Sequence, residues 1–327
     1  MRSTLAWTRW MVSGALVLLS SVALGSAPMH QTQAPGYYRV MLGDFEITAL
    51  SDGTFSFNVK DLLTGITPAQ LDDALARAFL KEPVDLSVNG FLVNTGTKLI
   101  LIDTGTGGGA PTAGKLLSNL RASGYEPAQV DDIFITHMHG DHIGGLTKDG
   151  KAVFPNATVH ASRQEGNYWL SEANMNAAPA AQKRTFQQTI ATFKPYVDVK
   201  HLQLFDGDIE IVPGVRSMSA FGHTPGHTMY LLTSKDEHLL LWGDLMHVAA
   251  AQFPDPAVTI KFDSDSASAE RVRTRTFAEV AAKGYMVGGA HLAFPGLGHL
   301  RAAGPATGAA AGVESYVFVP VNYSLPH

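Results

Sequence analysis

The chain of 327 residues contains no cysteine. This absence excludes a disulfide framework, a thiolate metal site and a cysteine nucleophile. Charged side chains are also scarce, at 16% of the sequence, with a formal net charge of -5 and no basic run. Binding to nucleic acid needs clustered Lys and Arg, so nucleic acid is not an expected partner. Hydrophobic residues make up 45% of the chain, enough for a large core without covalent support.

The N-terminus has the pattern of a secretory signal. Arg2 and Arg9 are positively charged, residues 11–24 are apolar, and small residues at 25–27 form a cleavage zone. The apolar segment is short for a membrane span, although an uncleaved anchor is the alternative. The sequence therefore predicts a signal peptide over residues 1–27, a periplasmic or secreted protein, and no stable membrane insertion after the signal is removed.

Strands and helices alternate along the rest of the chain, which is typical of sheets covered by helices. We expect a flexible leader over residues 28–36 and one catalytic domain over residues 37–327. The predicted strands are 44–50, 55–59, 90–94, 98–103, 132–136, 215–220, 229–233, 238–242, 285–287 and 316–319. The predicted helices are 68–80, 115–122, 163–171, 180–193 and 267–282.

The run HMHGDH at residues 137–142 places four metal-binding side chains directly after an apolar strand. If the strand continues, His137 and His139 point to the same side and suit one ion. A turn after His139 would bring Asp141 and His142 towards a second ion. Imidazole nitrogen and carboxylate oxygen favour Zn²⁺, with Mn, Fe or Co as substitutes. A surface cluster of histidines is the structural alternative.

Further metal-binding side chains stand at other strand ends. His223 lies in the turn sequence GHTPGH, Asp244 ends the apolar run LLLWGD, and His291 follows Gly-Gly-Ala. A carboxylate at the end of an apolar strand is costly to bury unless it faces cations, so Asp244 is suited to bridge two ions. The seven predicted ligands of two divalent ions are His137, His139, Asp141, His142, His223, Asp244 and His291.

This set of motifs resembles the metallo-β-lactamase superfamily. The resemblance covers nearly all of the chain after the signal, and it implies an αββα sandwich of two mixed sheets flanked by helices. It also implies that one ion is held by His137, His139 and His223, the other by Asp141, His142 and His291, and that Asp244 bridges them. Asp103, in LILIDTG, matches a buried acid that orients ligands, and His227 is expected to support the site from behind.

Within the superfamily, the chain is similar to methyl parathion hydrolase and its lactonase relatives. The matching stretches are GYYRVMLGDFEITALSDGT, THMHGDHIGGL, GHTPGHT, AHLAFPGLGHLRA and VPVNYS. The resemblance places a group of mostly aromatic residues around the substrate: Phe55, Phe57, Leu62, Trp169, Phe186, His247 and Phe262. Residues 105–110 fit the dinucleotide fingerprint G-x-G-x-x-A, but the acid that should follow is misplaced, so we expect a loop beside the site.

The expected reaction is attack on an ester by a hydroxide that bridges the two ions, with Asp141 and Asp244 as the catalytic residues. Leu62, His247 and Phe262 depart from the pattern of phosphotriesterases and favour lactones, in particular aryl lactones such as dihydrocoumarin, with organophosphate hydrolysis as a side activity. The alternatives are a phosphotriesterase, an acyl-homoserine lactonase, a thioester hydrolase like glyoxalase II, and a metal-binding protein without activity. A small lactone or ester is the expected partner, and a homodimer is compatible with the sequence.

Overall fold

The computed structural model describes residues 27–108, 111–305 and 314–325. Nearly all of the predicted signal peptide lies outside the described residues. Contacts between Cα atoms divide the chain into two units, Met1–Ala34 and Pro35–His327, and every strand and helix given below belongs to the second. Within the described ranges, no helix combines the length and the apolar character needed to cross a membrane.

The second unit contains strands and helices in alternation. The strands are β1 Tyr37–Leu42, β2 Phe45–Phe57, β3 Leu63–Thr64, β4 Val84–Asn94, β5 Leu99–Ile102, β6 Asp132–Phe134, β7 Thr147–Lys148, β8 Lys151–Ala152, β9 Thr158–Ser162, β10 Leu202–Phe205, β11 Glu210–Val212, β12 Val215–Ser219, β13 Thr228–Ser234, β14 Glu237–Leu241, β15 Thr259–Ile260, β16 Met286–Gly288, β17 Leu297–Pro305 and β18 Glu314–Pro320. The helices are α1 Pro68–Arg77, α2 Leu116–Ala122, α3 Gly140–Ile143, α4 Arg163–Trp169, α5 Glu172–Ala177, α6 Ala180–Asp198, α7 Ala249–Gln252 and α8 Ser266–Lys283.

Two seven-stranded mixed sheets form the centre of the fold. The first has the strand order β1-β2-β4-β5-β6-β9-β10, and the second has the order β11-β12-β13-β14-β16-β17-β18. Strands β5, β6, β9 and β10 are parallel in the first sheet, and β14 and β16 are parallel in the second. Both sheets therefore contain the crossover connections that place helices on a sheet face.

Three clusters of buried hydrophobic residues show that these elements are stacked in four layers. Residues of β4 and β5 pack against residues of β13 and β14 between the two sheets. Leu116 of α2 and Phe193 of α6 cover the other face of the first sheet, and Phe277 of α8 covers the second. The predicted αββα sandwich is confirmed, because apolar strands buried on both faces need a sheet on one side and helices on the other.

Helix α1 begins as predicted but ends early. Thr67 forms the capping box and Pro68 occupies the first turn, while Leu71 and Leu75 are buried. The predicted end at residue 80 is wrong, because the helix ends at Arg77. Phe79 then has a left-handed φ of 56° and is 98% exposed, so it does not belong to the buried face.

The remaining predicted strands and helices are present, but some of their bounds differ and several further elements occur. The hairpin of β4 and β5 is confirmed. The two strands expected between residues 44 and 59 are one strand, β2, which continues through an irregularity at Ser51–Gly53. Strands β1, β9, β10, β11 and β17 were not predicted, and neither were the two-residue strands or the short helices α3, α5 and α7. Strand β17 has the sequence LGHLRAAGP, whose small residues have little β-propensity of their own, so its pairing with β16 and β18 determines its conformation.

A buried polar cluster joins strands β5, β6 and β9 at the end of the sheet where β6 begins. The Asp132 carboxylate accepts hydrogen bonds from His160 Nε2 at 2.8 Å and Lys98 Nζ at 2.9 Å. Burial raises the pKa of Asp132, but these two bonds outweigh burial and bring the pKa below its ordinary value. The ionised carboxylate therefore stabilises the fold above the unfolded-state pKa of about 3.9, and this stabilisation is lost as the pH falls.

We predict that Asp132→Asn lowers the free energy of unfolding by roughly 1–3 kcal/mol at pH 7, since it weakens two bonds to a charged acceptor. The difference from the wild type should close as the pH falls below about 4, where the wild-type carboxylate becomes protonated. Urea unfolding between pH 7 and pH 3 measures both effects. Asp198→Asn, which breaks an exposed pair with Lys194, is the control and should change little. A gap between Asp132→Asn and the wild type that stays constant with pH would contradict the prediction.

Candidate metal centre

The run at residues 137–142 begins as an irregular segment, because β6 ends at Phe134 and not at Thr136 as predicted, and it continues into a helix. His137 follows β6, and the ring centroids of His137 and His139 lie 4.6 Å apart. Helix α3 begins at Gly140 and carries Asp141 and His142 round to the other side. The predicted turn after His139 is thus a short helix whose first residues present a carboxylate and an imidazole.

Two glycines allow this segment to pack against a neighbouring loop. A Cβ atom added at Gly144 would lie 2.1 Å from the Thr106 carbonyl oxygen, and one at Gly145 would lie 2.1 Å from that of Thr104. Distances this short exclude any side chain. The two segments can approach this closely only because both positions are glycine.

Asp244 lies at the centre of the other metal-binding side chains. It follows β14, while His223 lies in the turn between β12 and β13, and His291 follows β16. The Asp244 carboxylate lies 3.3 Å from His223 Nε2, 3.0 Å from His291 Nε2 and 3.1 Å from His142 Nε2. Four separate segments of the chain, from both sheets, therefore meet at one carboxylate.

The structure brings all seven predicted ligands together in the predicted grouping. Each group has ligand atoms that lie within 4.8 Å of one another, and the two groups share Asp244. The first group is His137, His139, His223 and Asp244; the second is Asp141, His142, Asp244 and His291. The role of these side chains as ligands stays a prediction, but their convergence is an observation.

The donor atoms fit a pair of cations. His137 Nε2, His142 Nε2 and Asp244 Oδ1 are buried and have no hydrogen-bond partner within the described part of the chain. The last two of these atoms lie only 3.1 Å apart, without hydrogen-bond geometry. Buried polar atoms are normally paired, so lone pairs that face one another in this way indicate a place for a metal ion. The groups offer the nitrogen and oxygen ligands that suit Zn²⁺.

The protonation of the histidines agrees with this arrangement. Burial, together with neighbouring histidines, holds the pKa of His137 well below its usual range and that of His139 at about 3. Both rings are therefore neutral, which is the form that binds metal. Burial lowers the pKa of His223 too, but Asp244 and Asp263 outweigh it and raise that pKa to about 9. The buried carboxylates thus attract positive charge, which a metal ion would supply in place of a proton.

Asp103 orients a histidine of the second group. Its Oδ2 atom accepts hydrogen bonds from His142 Nδ1 at 2.8 Å and from the Thr136 hydroxyl at 2.7 Å. Its backbone has a left-handed φ of 59°, a conformation that Asp tolerates better than most residues. The contact leaves His142 Nε2 free to face Asp244. This geometry is what the predicted orienting role requires.

His227 contacts the backbone of the site. Its Nε2 atom accepts a hydrogen bond from the Asp244 amide at 3.1 Å, and its Nδ1 donates to the Ala220 carbonyl at 3.2 Å. Burial lowers the pKa of His227 to about 3, so the ring is neutral and one nitrogen can accept. His227 therefore fixes the position of Asp244 from behind, as expected.

Three supporting contacts were not predicted. The Asp263 carboxylate lies 2.9 Å from His223 Nδ1, and the Ser87 carbonyl accepts from His291 Nδ1 at 2.8 Å. Glu165, which is 1% exposed, accepts hydrogen bonds from both metal-binding loops. The acid-rich sequence DSD at residues 263–265 gives no sign of which acid is buried. A backbone carbonyl leaves no signal in the sequence at all.

A cavity of about 1130 Å³ opens over the two groups. Five of the seven residues predicted to contact substrate line it: Phe55, Phe57, Trp169, His247 and Phe262. Leu62 packs in the cluster around α1, and Phe186 is buried behind Trp169 with 4.8 Å between ring centroids. Neither of these two lines the cavity. Phe186 lies on the inner face of an amphipathic helix, which favours the core over the cavity.

Two further predictions concern the cavity. His247 was expected either to face the substrate or to make a core hydrogen bond. Its Nε2 lies 3.2 Å from Asp244 Oδ2, its ring stacks on His291 at 4.9 Å, and it lines the cavity. Thr106 and Gly108 also line the cavity, so residues 105–108 of the glycine-rich segment form a loop beside the site, as predicted, while residues 109 and 110 lie outside the described residues.

Comparisons with known proteins agree with this geometry. The family model of the metallo-β-lactamase superfamily matches residues 83–284. A solved hydrolase of the β-lactamase superfamily, AbOPH, is 35% identical with a TM-score of 0.83, over 90% of this chain and 100% of that one. The dizinc quorum-quenching lactonase AidC, solved with N-hexanoyl-L-homoserine, is 28% identical with a TM-score of 0.79, over 88% of this chain and 98% of that one.

The N-acyl homoserine lactonase of Bacillus cereus is 28% identical over 153 residues, or 47% of this chain. The match spans about half of that relative, 53% of its length. The chain belongs to the metallo-β-lactamase superfamily, because the family model covers more than half of it and the fold and the two groups of ligands agree with it.

We predict that the purified protein binds two equivalents of divalent metal per chain. Removal of the metal with a chelator should lower the thermal midpoint, because buried carboxylates and imidazoles then face one another without cations. An ion present at a thousand times its Kd stabilises by about 4 kcal/mol. Elemental analysis and thermal unfolding before and after readdition of Zn²⁺ measure this. Protein with no bound metal and an unchanged midpoint would contradict the prediction.

Proposed function

We propose that the protein is a dinuclear-metal hydrolase that opens lactones. The observation that carries the proposal is the pair of ligand groups sharing Asp244 at the floor of a large cavity with an aromatic wall. The lactonase AidC, which resembles this chain over most of its length, supports a lactone as the substrate. Zn²⁺ is the ion that we propose for both groups. Export to the periplasm or the medium also stays a proposal, because it rests on the N-terminal sequence.

The chain itself provides the groups that handle the substrate and its proton. When bound, the ions would supply Lewis-acid polarisation of the ester and a water molecule of lowered pKa. The Asp141 side chain is 25% exposed and lines the cavity, whereas that of Asp244 is only 3% exposed. Asp141 is therefore the carboxylate that can orient an attacking water and accept its proton. Asp244, surrounded by imidazoles, holds the site together.

One wall of the cavity is aromatic. The rings of Phe55 and Phe57 lie 6.1 Å apart, and Phe57 packs edge-on against Phe262 at 5.9 Å. Trp169 lies near His139, with 5.8 Å between ring centroids. Flat apolar surfaces of this kind contact a ring or an acyl chain favourably. An aryl lactone such as dihydrocoumarin fits this wall, and so does an acyl-homoserine lactone.

The part of the cavity that α6 lines is polar but carries no charge. The uncharged polar residues of α6 that line the cavity are Gln182, Thr185, Gln188, Thr189 and Thr192. They recur at intervals of three and four residues, so they share one face of the helix. Amides and hydroxyls can donate to the carbonyl groups of a substrate arm. The cavity is also larger than a two-ring lactone requires, so the main alternative substrate is an acyl-homoserine lactone.

Rates on four substrates test the proposal: dihydrocoumarin, N-hexanoyl-homoserine lactone, methyl parathion and an acyl thioester. We expect the two lactones to have the highest kcat/KM, methyl parathion to be hydrolysed weakly, and all activity to disappear with a chelator and return with Zn²⁺. Asp244→Asn is the inactive control. A clear preference for methyl parathion or for the thioester would assign the protein to those hydrolases instead. Metal binding without any turnover would leave only the non-catalytic alternative.

The polar wall generates a separate prediction. Gln188→Leu should raise KM for an acyl-homoserine lactone by about 2- to 10-fold, which corresponds to one lost hydrogen bond. The same change should leave KM for dihydrocoumarin, which has no arm, unaltered. Gln187→Leu is the matched control, because Gln187 is exposed on α6 and does not line the cavity. Equal effects of both variants, or equal effects on both lactones, would show that α6 does not contact the substrate.

A further inference from the structure

Glu165 is a buried acid in the first turn of α4, outside both ligand groups. Its Oε1 atom accepts a hydrogen bond from the Met138 amide at 2.8 Å. Its Oε2 atom accepts from the Thr224 hydroxyl at 2.8 Å and from the Gly226 amide at 2.7 Å. Among the described residues, it forms no ion pair with Lys, Arg or His. Its three partners are all donors, and two of them belong to the backbone.

The backbone of Glu165 is packed tightly against the backbone of Gly226. A Cβ atom added at Gly226 would lie 2.2 Å from the Glu165 amide nitrogen, so the start of α4 rests directly on the loop that contains Gly226. Only an acceptor can satisfy three donors at once, and a carboxylate has no donor of its own when ionised. An amide in the same place would turn an NH₂ group towards at least one N–H. The site is therefore specific for a carboxylate.

The three donors belong to the two loops that carry the first ligand group. Met138 lies between His137 and His139, and Thr224 directly follows His223. The second group is held by other contacts, since Asp103 orients His142 and the Ser87 carbonyl orients His291. Glu165 therefore supports one ligand group and has no contact with the other.

We propose that Glu165 is a positioning residue that sets the spacing between the His137–His139 loop and the His223 loop, and so the affinity for the ion of the first group alone. The inference rests on the proposed two-metal site. Trp169 lies one turn further along α4, and its ring is 5.8 Å from that of His139. The same short helix thus fixes the geometry of the first group and one wall of the cavity.

Glu165→Gln tests the proposal through metal content. After dialysis against graded concentrations of a chelator, we expect the wild type to retain two equivalents of Zn²⁺ and the variant to retain about one. The affinity for the lost ion should fall about 10- to 100-fold, as for other residues that orient metal ligands. Glu172→Gln is the matched control, because Glu172 is an exposed acid in the first turn of the next helix. It should behave like the wild type.

Two further variants distinguish positioning from a general loss of structure. Asp103→Asn disturbs the second group through His142, so this variant should lose the ion of the second group. The Co²⁺ spectra of Glu165→Gln and Asp103→Asn, each with one ion bound, should therefore differ. Thr224→Val removes one donor and little volume, so it should weaken the same ion as Glu165→Gln by a smaller factor, even if Glu165→Gln does not fold. Loss of both ions in equal measure, or full retention of both, would overturn the role of Glu165. A wild type that takes up no metal would instead overturn the two-metal site itself.

Discussion

The site depends on the burial of negative charge. Asp103, Asp244, Asp263 and Glu165 have nearly inaccessible side chains, and Asp141 is only a quarter exposed. Five ionised carboxylates in one region would repel one another strongly in a medium of low polarity. Two divalent cations supply four positive charges and nearly balance them. Hydrogen bonds compensate part of this burial, as at Glu165 and Asp103, and bound cations would compensate the rest, so we expect metal binding and stability to be coupled.

Three of the five predicted ligand histidines are each held by a contact with a residue outside the two groups. His142 donates to Asp103, His223 lies against Asp263, and His291 donates to the Ser87 carbonyl. These partners fix the ring orientation and determine which nitrogen faces the ions. The Ser87 contact is also a bond between sheets, since Ser87 belongs to β4 of the first sheet and His291 follows β16 of the second. Each ligand group contains residues that follow strands of both sheets, so the packing of the two sheets sets the distances within each group.

The sequence predicted the features that depend on neighbouring residues. It did not predict the burial of side chains that are covered by segments distant along the chain. The ligands stand beside glycines at strand ends, and both the alternation of the strand and the turn after His139 follow from neighbouring residues. Glu165 and Asp263 look like ordinary acids in the sequence, because their burial depends on loops that are distant along the chain. Phe186 was misplaced for the same reason. The periodicity of a helix shows that one face is buried, but it does not show whether that face meets the core or a cavity.

The two ligand groups differ in charge, and this difference bears on specificity. The first group consists of three imidazoles and the shared Asp244. The second consists of two imidazoles, Asp141 and the shared Asp244. An ion held by the first group would therefore keep more positive charge, which would stabilise an oxygen that becomes negative in the proposed ester cleavage. Trp169 lies beside His139 of that first group, whereas Phe262 packs against His247, whose ring stacks on His291 of the second group. In the proposed reaction, Trp169 and the ion site of the first group would therefore act on the same side of the cavity, beside the two loops that Glu165 contacts.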